Sequence, residues 1–302
     1  MLRKKPRVTV QLVGGLGNQI FQYFAGMYVA IESNSELVLD TSRIGVHGRN
    51  HGSTISDFNI SERVIFSRWR NLFYRSVFGR FHGFFLRKIP VYSRISKDIL
   101  NCYQSRTLGY DRSVSNLSPP VTLSGYFQTS QYYNFVIDSG TPKLRISEPS
   151  QWYRSMLQMI ESKQSLVIHI RRGDYVLLKD TFGLLSKKYY LEAESIIKKR
   201  FSFTDIFVFS DDLSIAKEFN LTFSDAVIHY VSPPSESTAA ESLMLMSAAK
   251  GIILSNSTFA WWSAIIGEID YVVCPEKWFR DSPIPDGLVQ PTWLTTESQW
   301  EN

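Results

Sequence analysis

Two cysteines in 302 residues leave little to cross-link. Cys102 and Cys274 stand far apart with no C-x-x-C spacing, which excludes a disulfide framework and a zinc site as the basis of the fold. No apolar run approaches the roughly twenty residues that cross a bilayer. The opening Met1-Leu2-Arg3-Lys4-Lys5-Pro6-Arg7 runs into a strand too short for the apolar part of a signal peptide, so a cytoplasmic protein is expected. Internal repeats and low-complexity tracts are also missing. With 44% hydrophobic and 20% charged residues the chain reads as ordered, and it is long enough for two α/β domains.

Acid is locally absent as well. Between Arg63 and Ile89 there is no Asp or Glu, against Arg63, Arg68, Arg70, Arg75, Arg80, Arg87 and Lys88. The same stretch carries Phe66, Trp69, Phe73, Tyr74, Phe78, Phe81, Phe84 and Phe85. Two readings stay open. One is a core-packed helix whose arginines snorkel outward; the other is peripheral attachment to an anionic membrane, at the inner face of the cytoplasmic membrane. No nucleic-acid-binding motif accompanies the charge, so a nucleic-acid partner is not expected.

Strand and helix patterns alternate along the chain, which predicts an α/β fold. In the first half, Val8 to Val13 reads as a buried strand, Ile20 to Ile31 as a helix, and Glu36 to Asp40 and Val121 to Tyr126 as further strands. Gly, Ser and Pro cluster from Ser139 to Ser150, which marks a linker. After it come a helix from Trp152, a strand Leu166 to Ile170, a helix Lys187 to Arg200 and a strand Asp205 to Ser210. A helix from Leu213, a strand Ala226 to Val231, a helix Glu236 to Lys250, a strand from Gly251, a helix from Thr258 and a strand Tyr271 to Cys274 complete the series. That is the signature of a parallel sheet.

Four motifs carry chemistry. In Val167-Ile168-His169-Ile170-Arg171-Arg172-Gly173-Asp174-Tyr175, an apolar strand ends abruptly in two arginines, a glycine and an aspartate. Guanidinium forks match phosphate oxygens, and ligands of open α/β sheets bind beyond the carboxyl ends of strands, so a diphosphate fits there. The alternative is an arginine paired to a carboxylate, with Asp174 the nearest candidate. His169 shares a side with Arg171 by the period of two, and reads either as a nucleotide contact or as a hydrogen-bonded core histidine. Ser210-Asp211-Asp212 ends another strand and suits a ribose and base edge, a helix start, or a metal pair of the kind that holds a nucleotide diphosphate.

Near the amino end, Gly14-Gly15-Leu16-Gly17-Asn18-Gln19 joins strand to helix. Glycine there lets a ligand approach the backbone, while a plain tight turn is the competing reading. The pattern departs from G-x-G-x-x-G, having Ile20 in the third position, which disfavours a dinucleotide and hydride chemistry. Asn256-Ser257-Thr258 opens a helix as caps or as a phosphate site, and the tandem Trp261-Trp262 behind it reads as core packing.

Taken together and in this order, Gly14 to Gln22, His169 to Tyr175, Ser210 to Asp212 and Ser255 to Trp262 resemble the α-1,2-fucosyltransferases that use GDP-fucose, glycosyltransferase family 11, in its bacterial form. The resemblance implies a GT-B-like fold, two Rossmann-like domains facing a central cleft. Residues 1–145 would be the acceptor side and 146–302 the GDP-sugar side, with the Trp-rich end after Cys274 packing back. It implies inverting transfer of L-fucose from GDP-β-L-fucose to the 2-hydroxyl of a galactose, in an oligosaccharide or a lipid-linked glycan such as O-antigen or lipopolysaccharide. No cofactor and no metal are implied, in keeping with the missing D-x-D sequence.

On this resemblance Arg171 takes the β-phosphate as the leading catalytic residue. Arg172 joins it only if the chain bends at Gly173, and Asp174 orients an arginine. His169, Asp211, Asp212, Asn256, Ser257 and Thr258 fall on the donor side; Gly15 and Gly17 let substrate approach the backbone, and Asn18, counted with Arg171 and Asp174 as catalytic, faces the sugar transfer site together with Gln19. No general base stands out among these motifs. Two other classes stay open: a metal-independent transferase with a different nucleotide sugar, and an inactive glycan- or nucleotide-binding protein. Phosphate contacts do not read the base, so the residues alone do not separate GDP from UDP.

Overall fold

The computed structural model describes residues 5–45, 54–69, 101–221 and 226–301. The chain divides into two compact units, Met1–Leu144 with Pro285–Leu288, and Arg145–Ile284 with Val289–Asn302. The division between Leu144 and Arg145 falls inside the Gly/Ser/Pro stretch; the return of Pro285–Leu288 to the first unit has no sequence signal.

The first unit is a parallel sheet built from β1 (Arg7–Gln11), β2 (Glu36–Asp40), β3 (Arg63–Ile65), β4 (Cys102–Gln104) and β5 (Val121–Ser124), in the order β3-β2-β1-β5-β4. Val8 and Val10 point into its core while the residues between them are half-buried, the period-two pattern expected of a strand. Helix α1 (Leu16–Glu32) lies tightly on this sheet. A Cβ at Gly26 would overlap Val10 and come within 2.8 Å of Leu37, so glycine is what sets the closeness of that packing. Against α1 lies α2 (Ser130–Asp138), with Phe24 edge-on to Tyr133 and Tyr28 edge-on to Phe135, centroids 4.9 and 4.8 Å apart. Thr129 caps α2, and the Ser130 amide donates to the Gly287 carbonyl at 3.2 Å.

The second unit holds a six-stranded, wholly parallel sheet. Its strands are β6 (Ser165–Ile170), β7 (Asp205–Ser210), β8 (Val227–Tyr230), β9 (Gly251–Ile253), β10 (Tyr271–Pro275) and β11 (Leu294–Thr296), in the order β11-β10-β9-β6-β7-β8. Every residue of β6 is buried, as a strand covered on both faces must be. Helices α3 (Gln151–Glu161), α4 (Lys179–Phe182), α5 (Lys187–Lys198), α6 (Leu213–Glu218), α7 (Ala239–Met246) and α8 (Thr258–Ile266) connect the strands. Thr238 and Glu241 form a capping box at α7, and the Glu241 carboxylate also accepts from the Ser150 amide at 2.6 Å, fixing the start of α3 with the same group. Trp261 and Trp262 are both fully buried, rings edge-to-face at 4.8 Å, with Trp293 of the C-terminal stretch 6.1 Å from Trp261. A helix apolar all round, as α8 is, belongs in a core.

Three short edge strands, β3, β4 and β11, were not predicted. The helix expected over Glu236 to Lys250 is shorter at both ends, Ala239–Met246, and the strand expected to reach Tyr126 stops at Ser124. Of the basic aromatic segment, residues 70–89 lie outside the described residues; Phe66 and Trp69 before them are 62% and 84% exposed. Among the described residues no helix is long and apolar enough to cross a membrane.

Candidate active site

Strands β9, β6 and β7 are neighbours, and their carboxyl ends bring the donor-side motifs of the second unit together. At the end of β6 successive side chains point opposite ways, and this decides what the two arginines do. Arg171 stays 20% exposed, its guanidinium held by Asp174 at 2.5 Å and by Asp211 at 3.0 Å. The Tyr175 ring lies under it at 5.1 Å, and its Nε, buried, meets no acceptor.

Arg172 turns the other way. It is 2% exposed, with Nη1 and Nη2 donating to the two carboxylate oxygens of Glu301 at 2.7 and 2.6 Å, and its guanidinium lies 4.3 Å from the Phe219 ring centre. Its surroundings therefore give it a buried pair with Glu301 on the opposite side from Arg171. The chain does turn at Gly173, at φ +26°, but the turn does not bring the two forks together. A Cβ at Gly173 would run into the Asp211 carboxylate, which sits between the motifs and also accepts from the Arg172 amide at 2.7 Å.

The remaining donor-side residues divide between scaffold and open positions. His169 is buried, its Nδ1 2.7 Å from the Ser255 hydroxyl. Burial, reinforced by the Arg171 charge, holds its pKa down to about 3, so the ring is neutral. Asp212 caps α6, accepting from the amides of Ser214 and Ile215, which is the helix-start reading of that aspartate. Asn256, also buried, donates to the carbonyls of Phe182, Gly183 and Trp278 and so fastens two loops to the end of β9. Ser257 caps α8 through the Phe259 amide, and Thr258 occupies the first helical position, half-buried. The amino end of α8 thus lies beside the end of β6, and a helix amino end favours an anion.

In the first unit the expected residues share the first turn of α1. The positive φ falls on Gly14, at +78°, while Gly15 is the extended residue before the helix and Gly17 lies buried inside it. Asn18 accepts from Gln128 at 3.1 Å. Gln19 is fully buried and ties two loops, donating to the Gly14 carbonyl and accepting from the Ile55 amide. Among the described residues, no group of three or more His, Cys, Asp and Glu gathers as a metal would require.

The Glycosyl transferase family 11 model matches residues 103–295. The chain belongs to glycosyltransferase family 11. Among curated relatives, an Escherichia coli α-1,2-colitosyltransferase is 29% identical over 283 residues, covering 90% of this chain and 92% of its own. The Escherichia coli O-antigen biosynthesis glycosyltransferase WbnK is 28% identical over 314 residues, covering 94% and 98%. Among solved structures, Arabidopsis thaliana FUT1 in complex with GDP aligns with a TM-score of 0.52 at 12% identity, over 91% of this chain and 72% of that one. Fucosyltransferase NodZ from Bradyrhizobium aligns with a TM-score of 0.50 at 13% identity, over 87% and 94%. At these identities the likeness is one of fold, α/β with parallel sheets.

Membership of family 11 makes the chain a glycosyltransferase, and three residues that shape these motifs were not singled out from the sequence. Glu301 lies 129 residues from Arg172, with nothing in the sequence to link them. Tyr175 supports Arg171 through its ring and donates to the Asn256 carbonyl at 3.3 Å; its position directly after the Asp174 turn is the signal that could have flagged it. Gln22, fully buried, bonds the Val13 amide and carbonyl and the Gly125 carbonyl, and was readable only as part of the motif.

Proposed function

We propose that this family 11 enzyme transfers L-fucose from GDP-β-L-fucose to the 2-hydroxyl of a galactose-terminated glycan, free or lipid-linked, with inversion and without a metal. In the transfer, the bond from the sugar C1 to the β-phosphate oxygen breaks and a bond from C1 to the acceptor oxygen forms. GDP leaves with the bonding pair, and the proton of the acceptor hydroxyl passes to water.

The observation that carries the reading is Arg171, a part-exposed guanidinium at the carboxyl end of β6, oriented by Asp174 and Asp211 beside the amino end of α8. Charge develops on the leaving phosphate as the glycosidic bond breaks, so a fixed fork there stabilises the transition state more than the bound donor. Asp174 and Asp211 hold the fork in position; neither is assigned as base or nucleophile. The neutral His169 sets the floor beneath Arg171 through its bond to Ser255, and adds no competing positive charge. Ser257 and Thr258 start the helix whose amides supplement Arg171, and this combination replaces the charge neutralisation a metal would give. Asn18 and its neighbours on the first turn of α1 serve the acceptor side.

A second donor is favoured by one specific observation, the 29% identity to an α-1,2-colitosyltransferase. A colitosyl nucleotide is accordingly the alternative substrate. A panel of nucleotide sugars with purified protein separates the two, scoring nucleotide release with and without lactose or Gal-β-1,3-GalNAc. Release from GDP-fucose that depends on acceptor supports the proposal. Release from the colitosyl nucleotide alone replaces the donor, and binding without turnover on any donor removes the enzymatic reading of this chain.

A further inference from the structure

Along edge strand β4 and the loop that follows it the first unit contains a cavity of about 270 Å³, lined by Cys102, Tyr103, Gln104, Arg106, Thr107, Asp111 and Ser113. None of these belongs to the motifs discussed so far. We infer that this cavity is an acceptor subsite that holds the sugar adjoining the reacting galactose; the inference rests on the galactoside-acceptor reading and narrows it.

Place is the first argument. β4 pairs with β5 in a register that sets Gln104 opposite Ser124, so the cavity runs along the edge strand and reaches its carboxyl end, the end of an α/β sheet where ligands bind. Along the same edge Arg43 donates to Gln11 and to Ser124, each at 3.3 Å, and Gln128 donates to Asn18 at 3.1 Å. Amide and hydroxyl groups dominate this edge. They suit a ligand made of hydroxyls.

Charge is the second. The cavity wall carries one guanidinium, Arg106, and one carboxylate, Asp111, so it offers no net positive site for a phosphate. Gln104, Thr107 and Ser113 supply both donors and acceptors, and the Tyr103 ring supplies an apolar wall, the combination a pyranose matches with its hydroxyl rim and C–H face. The volume lies just under the ~300–1,000 Å³ of pockets that enclose drug-sized ligands, which suits a single ring.

Rigidity is the third. Buried Asp111 accepts from the Tyr103 hydroxyl at 2.5 Å, the Ser105 hydroxyl at 3.0 Å and the Ser113 amide at 3.1 Å, and its own amide donates to the Tyr132 hydroxyl at 3.0 Å. The wall is therefore set before a ligand arrives, which lowers the ordering cost of binding.

The test compares two acceptors on the purified full chain with GDP-fucose: methyl β-galactoside, which has no adjoining sugar, and Gal-β-1,3-GalNAc, which has one. Wild type is expected to show the lower KM for the disaccharide. Gln104→Ala, which removes a hydrogen-bonding group, and Thr107→Phe, which fills the cavity, are each expected to raise the disaccharide KM about tenfold. The KM for methyl β-galactoside, the KM for GDP-fucose and kcat should stay within twofold or so of wild type. Equal shifts for both acceptors, or no shift for either, overturn the subsite. A wild type that transfers to both with the same KM overturns the subsite alone, whereas a wild type that transfers to neither, from GDP-fucose or from the colitosyl nucleotide, overturns the galactoside reading and the subsite together. Thermal melts accompany the kinetics; if Thr107→Phe does not fold, Gln104→Ala decides.

Discussion

Arg171 and Arg172 are adjacent in sequence and should fail in opposite ways. Replacing Arg172 by alanine removes one member of a buried ion pair, a change that costs about 3–5 kcal/mol when the partner is left without compensation. Glu301 is 35% exposed and can regain water, which places the loss at the lower end, about 3 kcal/mol with the lost contact on Phe219 included. For a unit of this size that lowers the melting temperature by roughly 6–12 °C. Arg171 at 20% exposure, with partners equally wet, contributes about 1 kcal/mol or less to folding. Its loss should lower kcat by ~10²–10³ as a lost transition-state contact. Calorimetry and steady-state kinetics on Arg171→Ala, Arg171→Lys and Arg172→Ala measure both quantities. Arg172→Ala, assayed below its melting range, should keep kcat within a few fold, and Arg171→Lys should not rescue Arg171→Ala, since an ammonium lacks the fork. An Arg172→Ala protein that melts with the wild type, or an Arg171→Ala protein that melts early and turns over normally once folded, refutes the division of labour.

His169, held down to about 3 by burial and the Arg171 charge, refuses a proton that the unfolded chain accepts near 6.5. Stability should therefore fall by about 1.4 kcal/mol per unit as pH drops from about 6.5 towards 3, and His169→Gln should flatten that slope in urea titrations; parallel slopes would show that another group sets it. Turnover should survive excess EDTA, because Arg171 and the start of α8 supply the neutralising charge, whereas loss restored by Mn²⁺ or Mg²⁺ would move Asp211 and Asp212 to the centre of the reaction. Gly26→Ala should destabilise the first unit by about 1–3 kcal/mol in spite of alanine's better helix propensity, because α1 must lift off Val10 and Leu37; a stabilised variant in urea denaturation would contradict that packing.

Much of the second unit could be read directly, for a physical reason. Its central strands β6 and β7 are buried on both faces, so Leu166 to Ile170 and Asp205 to Ser210 stand out as largely apolar runs. Edge strands β3, β4 and β11 have three residues each, too few for a period to register, and their membership of a sheet is decided by the neighbour they pair with. The site was legible as a location and less so as a set of roles. Strand alternation already implied that Arg171 and Arg172 diverge, but the partner that takes Arg172 inward is Glu301, and no local pattern announces a contact over that separation. Gly14, not Gly15 or Gly17, carries the positive φ, because the helix begins earlier than its apolar period suggested. Asn256 and Gln19 illustrate a further difficulty: an amide that fastens loops and an amide that binds sugar are the same residue in sequence, and only burial separates them.

The most direct test of the central claim is NMR of the product formed from GDP-β-L-fucose and methyl β-galactoside by the wild-type protein. The account predicts an α-linked fucosyl group on O2 of the galactose, formed with inversion and dependent on Arg171. A β-linked product, a linkage to another hydroxyl, or release of free fucose with no disaccharide would contradict it.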